Sequence, residues 1–167
     1  MISEILNSYS LCLNDTRQLI ADLNAAQMVA QPSKLMNHPA WIIGHLIYSA
    51  QMIGGELAVP PWLSDQWVAL FRTGSVPKSD PALYPTKTEL LESLTDAQNR
   101  LAQRLSAMND TDLAQPLPDK RYRDIYPSLG HAILHILTVH TSYHVGQISA
   151  WRRAMGFPPV VRLQGNR

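Results

Sequence analysis

Apolar residues recur on three- and four-residue strides in four segments of the chain, and no segment alternates as a strand would. The first stripe is Ile2, Ile5, Tyr9, Cys12, Thr16, Leu19 and Leu23, followed by a polar break at Gln31-Pro32-Ser33. The second segment begins at Asn37-His38-Pro39, where proline suits a first helical position, and its expected end is Gly54-Gly55. The third opens on Thr86-Lys87-Thr88-Glu89, a capping-box pattern, and carries the seam Leu90, Leu94, Ala97, Leu101, Leu105 and Met108. The fourth runs from about Ser128 to Met155, with Gly156 at its cap and Pro158-Pro159 blocking any extension.

Between the second and third segments, Ala58 to Tyr84 holds Pro60, Pro61, Pro77 and Pro81, with Trp62, Trp67, Leu70 and Phe71 among them. This reads as a long crossover with one short helix over Asp65 to Arg72. Connections of that length in compact domains are usually functional. A second polar connection, Asn109 to Tyr126, contains Pro116 and Pro118. Four amphipathic helices with one long crossover predict an all-α fold, a four-helix bundle, expected as a single domain over residues 1–167.

Composition narrows the partners. Apolar residues make up 46% and charged residues 16%, an ordinary globular balance, and the net charge of +1 offers no basic footprint for nucleic acid. Cys12 is the sole cysteine, so neither an internal disulfide nor a thiolate metal cluster can form. The N-terminus lacks a charged leader followed by an apolar block. The most apolar stretch, Trp41 to Met52, is interrupted by His45, Ser49 and Gln51 and falls short of the about 20 apolar residues that span a bilayer. The expectation is a cytoplasmic chain without a membrane or nucleic-acid partner.

The histidines carry the chemistry. His131/His135 and His140/His144 are spaced i, i+4, where chance at this composition gives about 0.2 such pairs. Helical phase separates them. The core stripe of the fourth helix reads Ile133, Leu137, His140, His144, Gln147 or Ile148, Trp151 and Met155. His131 and His135 fall about 180° from it, among Thr138, Ser142, Ser149 and Arg152, and are read as surface residues. His140 and His144 occupy slots that packing would give to leucine. Two imidazoles one turn apart can chelate one ion. A third ligand must come from another helix, and His45 is the candidate, in the stripe His38, Trp41, His45, Tyr48 and Met52. Gly44 beside it permits close backbone approach. Three histidines leave coordination positions open, the mark of a catalytic site.

His38 is read as a helix-start residue close to that phase. Gln147 is weighed equally as a partner of a ligand and as an ordinary interhelical contact. Trp41, Tyr48, Tyr143 and Trp151 are expected in the core. For each histidine taken alone, a hydrogen-bonded core residue is the competing reading.

These residues resemble a known family. Asn37-His38-Pro39-Ala40-Trp41-Ile42-Ile43-Gly44-His45-Leu46 is similar to the tryptophan–glycine–histidine–leucine motif of the DinB-like (YfiT-like) metalloenzyme superfamily. His140-Thr141-Ser142-Tyr143-His144-Val145-Gly146-Gln147-Ile148 resembles its second signature, H-x-x-x-H-x-G-Q. Phe71, Gly74-Ser75, Pro77, Tyr84-Pro85, Glu89-Leu90 and the closing Arg152-Arg153-Ala154-Met155-Gly156 extend the likeness over nearly the whole chain. Val145 departs from it: many relatives carry arginine there, so a role for that arginine in holding an anionic cosubstrate is not carried over.

The resemblance implies an up-down-down-up bundle with His45, His140 and His144 as ligands of one divalent ion, zinc or nickel, with iron or manganese as alternatives. It further implies thiol-dependent S-transfer from a low-molecular-weight thiol to a small electrophilic substrate. Gln147, Tyr48, Trp41 and His38 are the candidates for contacts around the ligands or substrate. No general base is assigned, because no carboxylate lies in either histidine stripe. The rival readings are a metal-dependent hydrolase of a small amide or ester, a non-catalytic bundle stabilised by its metal, and a haem bundle. The exposed side of such a bundle could support a homodimer.

Overall fold

The structure, a computed structural model, describes residues 1–32 and 36–160. Of the predicted break at Gln31-Pro32-Ser33, Ser33 lies outside the described residues. Those residues form helices and connections, with no strand among them. Helix α1 (Ile2–Ile20) buries Ile5, Tyr9, Leu13, Thr16 and Ile20. Leu13, Thr16 and Ile20 are its deepest side chains, whereas Cys12 and Leu19 of the predicted stripe sit at the half-buried margin. Leu23, beyond the helix end, is also buried.

Helix α2 (Pro39–Glu56) is buried on nearly every side. A helix apolar all round belongs at the centre of a core, and α2 packs on most of the other long elements. It does not end at Gly54-Gly55 as the pattern predicts. Both glycines lie inside the helix, and a Cβ on Gly54 would come within 3.0 Å of the Trp62 ring. That glycine makes room for the crossover. The turn out of the helix is made two residues later, where Ala58 takes φ 59°, a left-handed conformation that non-glycine residues rarely adopt.

The crossover carries the short helix α3 (Asp65–Phe71), close to the predicted span and capped by the Ser64 hydroxyl. Gln51 Oε1 accepts from the Trp62 and Leu63 N–H groups and ties the start of the crossover to α2. Helix α4 (Lys87–Ser106) begins with the predicted reciprocal cap between Thr86 and Glu89, and Leu90, Leu94, Ala97, Leu101 and Leu105 are fully buried. Both α1 and α2 pack on α4 and on the last helix, so two layers of long helices enclose one apolar core.

The last helical stretch is divided. α5 (Leu129–Leu134) leads into a π-helical turn over His135–His140, and α6 (Thr141–Ala154) follows. The wide turn loosens the backbone ladder, and the buried Thr141 hydroxyl donates to the Ile136 carbonyl five residues back, at 3.0 Å. Such turns gather at functional sites. Gly156, with φ 78°, closes the stretch at the predicted position. Arg152 corrects the expectation of a polar face: it is 3% exposed and makes a two-pronged contact with Asp22, at 2.6 and 2.9 Å. It also donates to the Leu19 carbonyl, so the pair ties α6 to α1.

Candidate metal centre

Three of the six histidines converge where α2 meets the last helix. His45 is set in the middle of α2, and His140 and His144 stand one turn apart across the junction of the π turn and α6. Ring centroids are 5.3 Å apart for His45 and His140, 4.9 Å for His45 and His144, and 4.5 Å for His140 and His144. One nitrogen from each lies within 4.8 Å of the others, and no carboxylate or thiol among the described residues joins the group. The separation predicted from helical phase is present: His131 is exposed, and His135 is half-buried with its ring tilted 45° against Tyr126 at 5.2 Å.

Hydrogen bonds decide which nitrogen of each ring is available. The His45 Nδ1–H donates to the Phe71 carbonyl at 2.8 Å, which turns its Nε2 lone pair away from the crossover. The His144 Nδ1–H donates to Gln147 Oε1 at 2.9 Å, and the Asn37 amide donates to the same oxygen at 3.4 Å. A ring nitrogen anchored in this way is how metal-binding histidines are commonly oriented. His144 Nε2 then faces His140 Nε2 at 3.2 Å. A tetrahedral ion with bonds of about 2.0–2.1 Å holds two nitrogens roughly 3.3 Å apart, so this pair has the spacing of a shared ligand site. His140 Nδ1 is buried without a partner among the described residues. Protein hydrogen bonds therefore do not account for this cluster, and the donor set fits a divalent ion.

Electrostatics agree with that fit. Burial, together with the charges that His144, His45 and His135 would carry, lowers the His140 pKa to about 3. Burial first, then the His45 charge, lowers that of His144 to about 4. Burial also lowers the pKa of His45, against the opposing bond to Phe71. All three rings are neutral near pH 7, the form in which imidazole binds a metal.

The candidate contact residues divide. The Trp41 ring lies flat on His45, with centroids 4.8 Å apart and planes 7° from parallel, and its Nε1–H donates to the Ser75 hydroxyl at 2.9 Å. The Tyr48 ring stacks on the same histidine at 6.0 Å. Gln147 touches His144 directly. His38 does not join the cluster. It caps α2 by accepting the Trp41 N–H at 3.1 Å, and its Nε2–H donates to the Lys78 carbonyl at 3.1 Å. Tyr143, expected in the core, is 64% exposed but keeps an edge contact with His144 at 5.2 Å. The residues that the sequence reading missed are Phe71 and Asn37. Phe71 acts through a main-chain carbonyl, which leaves no side-chain signal. Asn37 stood at the head of the first motif, but its distance in sequence from Gln147 concealed the pairing.

An all-helical protein with a buried, carboxylate-free cluster of three histidines is thus defined by fold and site. The sequence model of the DinB superfamily matches residues 8–148, and the chain belongs to that superfamily. The fold is also that of a crystal structure described as the conserved protein of locus from Enterococcus faecalis. The TM-score is 0.75 at 17% identity, covering 93% of this chain and 98% of that one. No curated protein matches the chain.

Proposed function

We propose that His45, His140 and His144 hold one divalent metal ion, zinc or nickel before iron or manganese, and that the protein is a thiol-dependent S-transferase acting on a small electrophile. The observation that carries this reading is the convergence of three imidazoles, two of them facing Nε2 to Nε2 at 3.2 Å. Bound there, a divalent ion would hold a coordinated thiol as its thiolate at neutral pH. The chain's own residues set the frame. Gln147 and Phe71 fix the tautomers of His144 and His45, and Trp41 and Tyr48 cover the His45 ring. In the transfer, the thiol proton passes to solvent, the sulfur forms a bond to the electrophilic carbon, and the leaving group departs with its electron pair.

The absence of a carboxylate from the cluster favours S-transfer over hydrolysis, because a hydrolase gains from a positioned base that deprotonates water. A thiol ionises far more readily than water and needs less help. The long helices are read as one four-helix bundle of up-down-down-up order, a single domain with the crossover between the second and third members. The mutual packing of α1, α2, α4 and α6 supports this.

The test is a panel of small electrophiles assayed with metal-loaded protein, with and without added low-molecular-weight thiols. Thioether formation that needs both the thiol and the metal is the expected result. Turnover of an amide or ester without thiol would replace this reading with hydrolysis, and no turnover with a stoichiometric metal would favour a structural role.

A further inference from the structure

We infer that the crossover positions the metal ligand His45, with Phe71 as the positioning residue and Gly44 as the seat that holds it there. This inference rests on the metal-site reading and extends it to residues that bind no metal. Three observations meet at one point. The Phe71 carbonyl accepts the His45 Nδ1–H at 2.8 Å. The side chain of the same Phe71 is fully buried, and its ring lies over Gly44, so that a Cβ at position 44 would fall among the ring atoms Cδ1, Cε1 and Cζ. The Trp67 Nε1–H, one turn earlier in α3, donates to the Gly44 carbonyl at 3.3 Å.

The carbonyl that orients His45 and the ring that docks α3 thus belong to one residue, and the docking surface is the residue next to His45. The end of α3 is held from the other side as well. Ser75 Oγ–H donates to the Leu70 carbonyl at 2.8 Å while accepting from Trp41 Nε1, the indole stacked on His45. A ring seated at closest approach fixes its own main chain, because packed interiors do not deform continuously. The Phe71 carbonyl is therefore held in place before any metal arrives. The His45 ring then has one tautomer, with the proton on Nδ1 and the Nε2 lone pair facing His140 and His144.

Gly44 is glycine for this reason. Alanine is the better helix former, so Gly44→Ala favours α2 as a helix and acts against the site only by displacing Phe71. The loss of an orienting partner lowers metal affinity by about 10–100-fold.

Two measurements on each variant test this. Long-range ¹⁵N–¹H NMR of metal-free protein reads the tautomer of His45, and titration with Co²⁺, followed by visible absorption, reads the affinity. The wild type should show His45 as the pure Nδ1–H tautomer. Gly44→Ala should show mixed tautomers and a Co²⁺ affinity lower by about 10–100-fold. Phe71→Ala, which removes the seated ring, should shift both readouts in the same direction, and the double variant Gly44→Ala/Phe71→Ala should recover little of that loss. Ser75→Ala, a milder change at a half-buried position, should shift both readouts in the same direction and serves if Gly44→Ala does not fold.

A folded Gly44→Ala with an unchanged tautomer and an affinity within twofold of wild type would overturn the inference. So would an unchanged Ser75→Ala where Gly44→Ala does not fold. Wild-type protein that binds no Co²⁺ would overturn the metal reading, while the tautomer measurement would still decide whether Phe71 orients His45.

Discussion

His38 caps the start of α2 and His45, two turns further on, joins His140 and His144; both sites are largely buried, yet their nitrogens are used in opposite ways. His38 is 0% exposed and spends both nitrogens on the protein, one accepting from Trp41 N–H and one donating to the Lys78 carbonyl. Its ring meets Tyr84 edge-on, and the Tyr84 hydroxyl accepts the Lys78 N–H, so the corner is closed. In the cluster, two of the three rings use only Nδ1 on protein acceptors, and the third has a buried Nδ1 with no partner among the described residues. A histidine with both nitrogens satisfied stabilises the fold. A group of histidines whose remaining nitrogens point at one another holds something else, and burial alone does not separate the two cases.

The comparison is broken most sharply at the ligands. His144→Ala should weaken metal binding by more than the roughly 100-fold that loss of an orienting partner costs, while the melting temperature in chelator changes little. Calorimetric titration beside a thermal melt reads both effects. His38→Ala should do the reverse. Losing a helix cap and leaving the Lys78 carbonyl without its donor should cost about 2–4 kcal/mol in denaturant unfolding, with metal affinity held within a few-fold.

Acid gives a gentler test. Burial lowers the His38 pKa from 6.5 to about 4, so the unfolded chain binds more protons than the folded one between those values. The stability contributed by neutral His38 is therefore complete above about pH 6.5 and is lost as pH falls towards 4. The shift corresponds to roughly 3 kcal/mol at most. Metal-free unfolding measured from pH 7 to pH 4 should be less steep in His38→Asn, which keeps a capping group but does not titrate. The smallest expected effect in the cluster is at Gln147. Gln147→Leu should weaken metal binding by about tenfold through the freed His144 Nδ1–H, and an unchanged affinity would mean that this hydrogen bond does not orient the ligand.

Much of this was legible because helical phase is a strong signal. The stripes placed His45, His140 and His144 in core positions and set His131 and His135 apart, and the structure brings the first three together. The Thr86–Glu89 cap and the Leu90–Leu105 seam were equally plain, since each rests on local spacing. Gly54 misled because a glycine that makes room for Trp62 and a glycine that ends a helix look alike in sequence. Arg152 misled because its partner Asp22 lies 130 residues away. The π turn left no trace in the periodicity, since one widened turn shifts the phase by less than the width of an apolar stripe. Side chains and local spacing carried the ligands, whereas the groups that orient them include a main-chain carbonyl and a contact distant in sequence.

The central claim is that His45, His140 and His144 form one metal site. Metal analysis of the purified wild type beside His140→Ala/His144→Ala, each stripped with chelator and then offered Zn²⁺ or Ni²⁺, tests it most directly. The account predicts one tightly held ion per wild-type chain and none in the double variant. Wild-type protein that folds but takes up no ion, or a double variant that binds as tightly as wild type, would contradict it.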